Sequence, residues 1–303
     1  MEEQTLQQFL CLNDALFNHL MVFNQSFEII PDKKHFGVAI NYIDLQEYRD
    51  TFLRELINTI VDWVFSHSKQ EGIVGVLRAQ GRTISNQYSE LRTRSFDKFR
   101  ITEDGKLLHG QFGELLLFVF LQKFFHAVPL LRKMPITTST MHERYGADAI
   151  HFKLKNEKKI FYLGEAKSYT SNYQFNTAME ESIISILNTY NNHRNEINSY
   201  LYENFLEPEL EKIAQDYING VTENAEVHLV SVITFNEKSQ VKLVSEVEIK
   251  NRIKSIIEYR YKNFDKNKID IKNNPILKRI TYIAFPIWEF EQLIEEFASK
   301  LHA

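Results

Sequence analysis

Asp148, Glu165 and Lys167 are the residues of this chain whose types and spacing best suit hydrolytic chemistry on a charged ester. Successive side chains of a strand alternate between faces, so Glu165 and Lys167 point the same way and Ala166 points into the opposite layer. Phe161 and Leu163 share the Glu165 face further back, so the strand changes from apolar to charged toward its end. Polar residues gathered at a strand's exit usually face a cleft. Asp148 and Glu165 are 17 positions apart, enough for two strands joined by a short turn at Asn156-Glu157-Lys158. Antiparallel pairing of those strands sets Asp148 beside Glu165. Two carboxylates with an ammonium group could hold Mg²⁺, or Mn²⁺ in its place, because hard cations prefer oxygen ligands and keep several waters. The Ala166 carbonyl is a third candidate ligand. The metal would activate a water and polarise a phosphate, while Lys167 orients that water and stabilises developing negative charge. Glu165 and Lys167 taken alone could instead be an exposed ion pair worth little. The apolar run up to Leu163 and the paired Asp148 weigh against that.

Further candidates surround the trio. Glu114, after Gly113 at the mouth of an apolar helix, is either an additional metal carboxylate or a partner for the helix dipole. Gln174 follows the second strand and could line the cleft. Arg82, Arg92 and Arg94, with Lys98 and Arg100, lie in a polar stretch from Gly81 to Lys106. That stretch reads as a solvated connection, or as a basic loop whose guanidinium groups touch phosphates. The histidines lack zinc-ligand spacing.

The elements that must position these residues follow from periodicity. Phe36–Ile40 reads as a short strand, and Asp44 as the N-cap of a helix whose apolar positions recur from Leu45 to Val64. Ile73–Val76 reads as a second short strand. Gln111–His126 is a buried helix, and Gly146–Leu154 and Lys159–Lys167 are strands. A long helix over 176–206 with more helix through Asp216 comes next. Val227–Phe235 is a buried strand, Val247–Lys262 a helix, Arg279–Phe285 a strand, and Trp288–Leu301 a closing helix with Trp288 in the core. The chain therefore divides into an N-terminal α/β cap or docking region over 1–100 and an α/β domain over 101–303, with a central mixed sheet flanked by helices.

Composition narrows the classes. A 44% hydrophobic share supports a sizeable core, and a formal net charge of −4 argues against coating nucleic acid through bulk charge. It also predicts weak DNA binding by the isolated chain. Cys11 is the only cysteine, so neither an intrachain disulfide nor a thiolate metal site is available. The acidic start, Met1-Glu2-Glu3, is unlike a secretory leader, and the run from Leu115 to Leu121 is far short of the ~20 residues of a membrane span. A soluble, cytoplasmic protein without membrane contact is expected. There is no glycine-rich phosphate loop.

Asp148 followed by Glu165-Ala166-Lys167 resembles the PD-(D/E)xK signature of restriction-endonuclease-like nucleases, with Ala147 where that signature has proline. Together with His109-Gly110-Gln111-Phe112-Gly113-Glu114 and Arg144-Tyr145-Gly146-Ala147-Asp148, the chain is similar to the HamA family of the bacterial Hachiman antiphage system. The resemblance implies a restriction-endonuclease-like core and a metal-dependent DNA nuclease. Its metal ligands would be Asp148, Glu165, Ala166 through its carbonyl, and Glu114. It also implies a helicase partner, HamB, that restrains the nuclease until infection. The alternative from another class is an inactive nuclease-fold module that binds DNA or scaffolds a defence complex.

Overall fold

Long apolar strand stretches separated by helices demand a sheet covered on both faces, because a strand buried on both sides reads as a continuous hydrophobic run. The computed structural model of the chain describes residues 3–30, 32–99, 106–132, 146–172, 174–200, 207–239, 241 and 244–301. The N-terminal part contains α1 (Glu3–Gln7), α2 (Asp14–Asn18), β1 (Leu20–Gln25), β2 (His35–Ile40), β3 (Tyr42–Ile43) and β4 (Gln46–Glu47). Four helices follow: α3 (Arg49–Asn58), α4 (Ile60–Val64), α5 (His67–Ala79) and α6 (Ile84–Phe96). Next come α7 (Lys106–Phe125), β5 (Val128–Leu131), β6 (Ala149–Lys155) and β7 (Lys158–Asn172). The remainder is α8 (Phe175–Tyr200), α9 (Pro208–Ile218), β8 (Ala225–Asn236), α10 (Glu246–Lys262), β9 (Ile280–Ile287) and α11 (Phe290–Leu301).

Seven strands form one mixed sheet in the order β1-β2-β9-β8-β7-β6-β5. β2, β9, β8 and β7 run parallel, and β1, β6 and β5 pair antiparallel at the two sides. β9 is buried at every one of its positions, as a central parallel strand requires. One face packs Phe161 and Leu163 of β7 against Met179 and Ile186 of α8 and Ile253 and Ile257 of α10. The other face packs Val230 and Ile283 against the apolar residues of α7, α3 and α11. The α/β class and the helix-flanked mixed sheet expected from the pattern are therefore found. β1 and β2 extend that same sheet at the side away from β6.

α7 lies close on β7 because glycines remove side chains where they meet. A Cβ on Gly164 would stand 2.8 Å from Leu117 Cδ2, and one on Gly113 would run into the Ser168 hydroxyl. Among the described residues no helix is long and apolar enough to cross a membrane.

Three local expectations are overturned. Ile73–Val76 is not a strand but the middle of α5: Ser66 caps that helix by accepting from the Lys69 amide, and Val74 and Leu77 form its buried stripe. The polar stretch from Gly81 is not a loop over its described length, since Thr83 caps α6 and Gln87, Leu91 and Ser95 line its buried side. Residues 100–105 lie outside the described residues. Asp44 is not an N-cap. It and Leu45 have φ of 52° and 62° in the tight turn between β3 and β4, and α3 begins only at Arg49. Trp288 is half-buried, with its indole N–H donating to the Ser239 carbonyl at 2.8 Å.

Candidate active site

The site grows from the hairpin of β6 and β7. Asn156 and Glu157 take φ of 48° and 64° at its tip, the left-handed pair of a two-residue turn that fixes register. Ala149 then pairs with Gly164, and Asp148 comes opposite Glu165 one step beyond. The Asp148 amide donates to the Gly164 carbonyl at 3.1 Å, and the Ala166 amide donates to Asp148 Oδ2 at 2.8 Å. Backbone N–H and C=O of one strand residue point to the same side. The Ala166 carbonyl is therefore directed toward Asp148 as well.

Glu165 and Lys167 face α8, while Ala166 packs into the opposite core, as the alternation predicts. Glu165 is 3% exposed. Its Oε1 accepts from Ser185 Oγ at 2.6 Å and from Lys167 Nζ at 2.9 Å. Its Oε2 is buried without a hydrogen-bond partner. Burial first, and then the Asp148 charge, push the Glu165 carboxyl up to about 7 against the pull of Lys167 and Ser185. For Lys167, burial acts to lower the ammonium, but Glu165, Asp148 and Glu181 outweigh it and hold it above its ordinary value. The cation therefore persists at neutral pH.

A buried carboxylate oxygen with no donor is costly unless something positive reaches it. With Asp148 and the Ala166 carbonyl it makes an all-oxygen donor set that suits Mg²⁺ or Mn²⁺. The residues fit the implied metal. Among the described residues no three His, Cys, Asp or Glu side chains converge as a metal cage. Glu114 lies on α7. Its neighbour Gly113 lies against Ala166 and Ser168, on the sheet face turned away from Glu165.

A cleft of about 770 Å³ opens over Lys167, walled by Gly146 and the polar side of α8. Gln174 is not in its lining: it stands just before α8, where its carbonyl accepts the Ala178 amide at 2.8 Å. Arg92 and Arg94 also lie elsewhere, on α6, with Arg82 just before its cap. Arg82 and Arg94 share Glu90 at 3.6 and 3.0 Å, and Arg92 covers the Phe96 ring at 4.9 Å.

Sequence reasoning missed Ser185 and Glu196, both on α8. Glu196 Oε2 accepts the Ala147 amide at 2.8 Å and lies against Gly146, whose φ of 142° suits glycine. The sequence signal for both was a polar stripe on a helix whose other side is apolar (Met179, Ile183, Ile186, Ile197).

No curated protein matches the chain. The HamA family model matches residues 14–301, nearly the whole length, and the chain therefore belongs to the HamA family of the Hachiman antiphage-defence system.

Proposed function

We propose that this chain is a metal-dependent deoxyribonuclease that hydrolyses phosphodiester bonds as the effector of Hachiman defence, under the control of a helicase partner. The observation that carries the reading is the unpartnered, buried Oε2 of Glu165 beside Lys167 and Asp148. Family membership supports the defence role, and the donor set supports the chemistry.

Asp148, Glu165 and the Ala166 carbonyl would hold Mg²⁺ or Mn²⁺. A divalent cation there supplies Lewis acidity and lowers the pKa of its bound water. Lys167, kept protonated by Glu165, would orient a water and face negative charge growing on the phosphate. Ser185 holds Glu165 in one rotamer, and the Ala166 amide does the same for Asp148. The burial of Glu165 strengthens each of these interactions.

The test is cleavage of linear DNA, circular DNA and RNA with Mg²⁺ or Mn²⁺, with and without the helicase partner, comparing wild type with Lys167→Ala. DNA cleavage that needs metal and falls at least ~100-fold in the variant, the scale of removing one electrostatic stabiliser, is expected. Equal cleavage by both proteins would remove Lys167 from the mechanism. Silence of the wild type in every condition would turn the reading toward a nuclease-fold module that binds without cutting.

A further inference from the structure

α8 is fastened to the sheet at three places. Tyr169 OH donates to Glu181, Ser185 donates to Glu165 at 2.6 Å, and Glu196 accepts the Ala147 amide at 2.8 Å. From the second fastening to just past the third, the cleft runs from Lys167 along Asn188, Thr189, Asn192, Asn195 and Ser199. At ~1.5 Å per residue, Ser185 to Ser199 spans ~21 Å. That length matches roughly six nucleotide rises of 3.4 Å.

The composition of this wall is unusual for a helix. Asparagine is a poor helix former because its side chain competes for backbone hydrogen bonds. Yet Asn188, Asn191, Asn192, Asn195 and Asn198 all fall within one stretch of α8. Three of them face the cleft, and Asn191 and Asn198 do not line it. A local preference overridden without a packing gain marks a functional surface. Asn188, Asn192 and Asn195 are exposed, so burial does not explain them.

Charge sets what the wall could hold. Among the described residues, Glu181, Glu196 and Lys167 are the charged groups that line the cleft, with Asp148 and Glu165 interacting with Lys167. Glu181 and Glu196 are already engaged by Tyr169 and Ala147. Among the described residues of this wall, uncharged polar groups therefore outnumber cations. Amide N–H and hydroxyl groups bond phosphate and sugar oxygens without net charge. Asn192 Nδ2 now donates to the Asn188 carbonyl at 2.9 Å, a bond that a phosphate oxygen can replace.

We propose that the α8 face from Asn188 to Ser199 is a track for the sugar–phosphate backbone of the strand being cut, gripped by uncharged amide and hydroxyl donors. The inference rests on the nuclease reading above. The track seats the strand. The trio cleaves it.

The test uses the full chain with its partner and a triple variant, Asn188→Ala, Asn192→Ala and Asn195→Ala, against a control carrying Asn191→Ala and Asn198→Ala. Alanine is the better helix former at every position, so thermal melting should show both variants at least as stable as wild type. At roughly one hydrogen bond lost per site, KM for DNA should rise about tenfold or more in the triple variant while kcat is kept. The control should match wild type. Binding of a labelled DNA strand in Ca²⁺ should weaken equally at all salt concentrations, leaving the log–log salt slope unchanged. An unchanged KM, an equal rise in the control, or a slope that falls with the mutations would overturn the track. Loss of kcat at constant KM would also overturn it, by moving these residues to the reacting atoms. A wild type that neither cuts nor binds nucleic acid would instead sink the nuclease reading, and the track with it.

Discussion

Ser185→Ala should move the titration of Glu165 upward, and Asp148→Asn should move it downward. Ser185 donates to the ionised carboxylate at 2.6 Å, so it favours the charged form. Hydrogen bonds to charged groups contribute ~1.5–3 kcal/mol, and 1.36 kcal/mol corresponds to one pKa unit. Ser185 is half-buried, so the lower end applies and the expected rise is about one unit. Asp148 acts in the opposite sense: its negative charge disfavours a second one nearby, and asparagine removes it. Two substitutions against one carboxyl thus shift it in opposite directions, which a general loosening of the fold would not do.

The Glu165 carboxyl can be followed without metal, by infrared or carbon-13 NMR difference between each protein and its Glu165→Gln version. Stability gives a second readout. The folded carboxyl titrates near 7 against 4.5 for an ordinary glutamate, so its protonated form is the one that folding favours. The contribution is present below about 4.5 and is lost as pH rises to about 7. Metal-free protein should therefore melt at lower temperature across that window, and Glu165→Gln should flatten the dependence. Mn²⁺ binding must expel the proton, so its apparent affinity should fall ~10-fold per pH unit below the midpoint. A Ser185→Ala midpoint that stays in place or drops refutes the argument, because the hydrogen bond would then not be supporting the ionised form.

Two further predictions concern what holds the site's surroundings. Gly164→Ala brings a methyl group within 2.8 Å of Leu117, so it should cost ~1–3 kcal/mol through overpacking, read as a lower urea midpoint. Glu207 is 2% exposed, lies 3.7 Å from Arg132 and accepts the His67 amide at 2.6 Å in the first turn of α5. Glu207→Gln should leave the Arg132 charge buried and unbalanced, at a cost of ~3–5 kcal/mol in chemical denaturation; a loss under ~1 kcal/mol would mean that Arg132 is already balanced by other groups.

What the sequence disclosed of the site was what strand geometry alone decides. Alternation placed Glu165 and Lys167 together, and the length of the hairpin placed Asp148 opposite, since register in a tight hairpin follows from turn and spacing. The helices that failed to show themselves had weak stripes. α6 buries Gln87 and Ser95 beside Leu91, and those polar groups are satisfied by Arg82 and Arg92 carbonyls of their own segment. A pattern built from apolar residues cannot see such a face. In α5, Gly72 and Gly75 around an aliphatic run imitated a strand, although Val76 is 59% exposed. Ser185 and Glu196 were hidden for another reason: each meets its partner only through the path of α8 across the sheet, and no local period encodes that crossing. The residues proposed to react are therefore legible from one hairpin, but the groups that hold them in place belong to the tertiary fold. The pH experiment bears on that division directly, because Ser185 controls a carboxyl twenty residues away in sequence through one hydrogen bond.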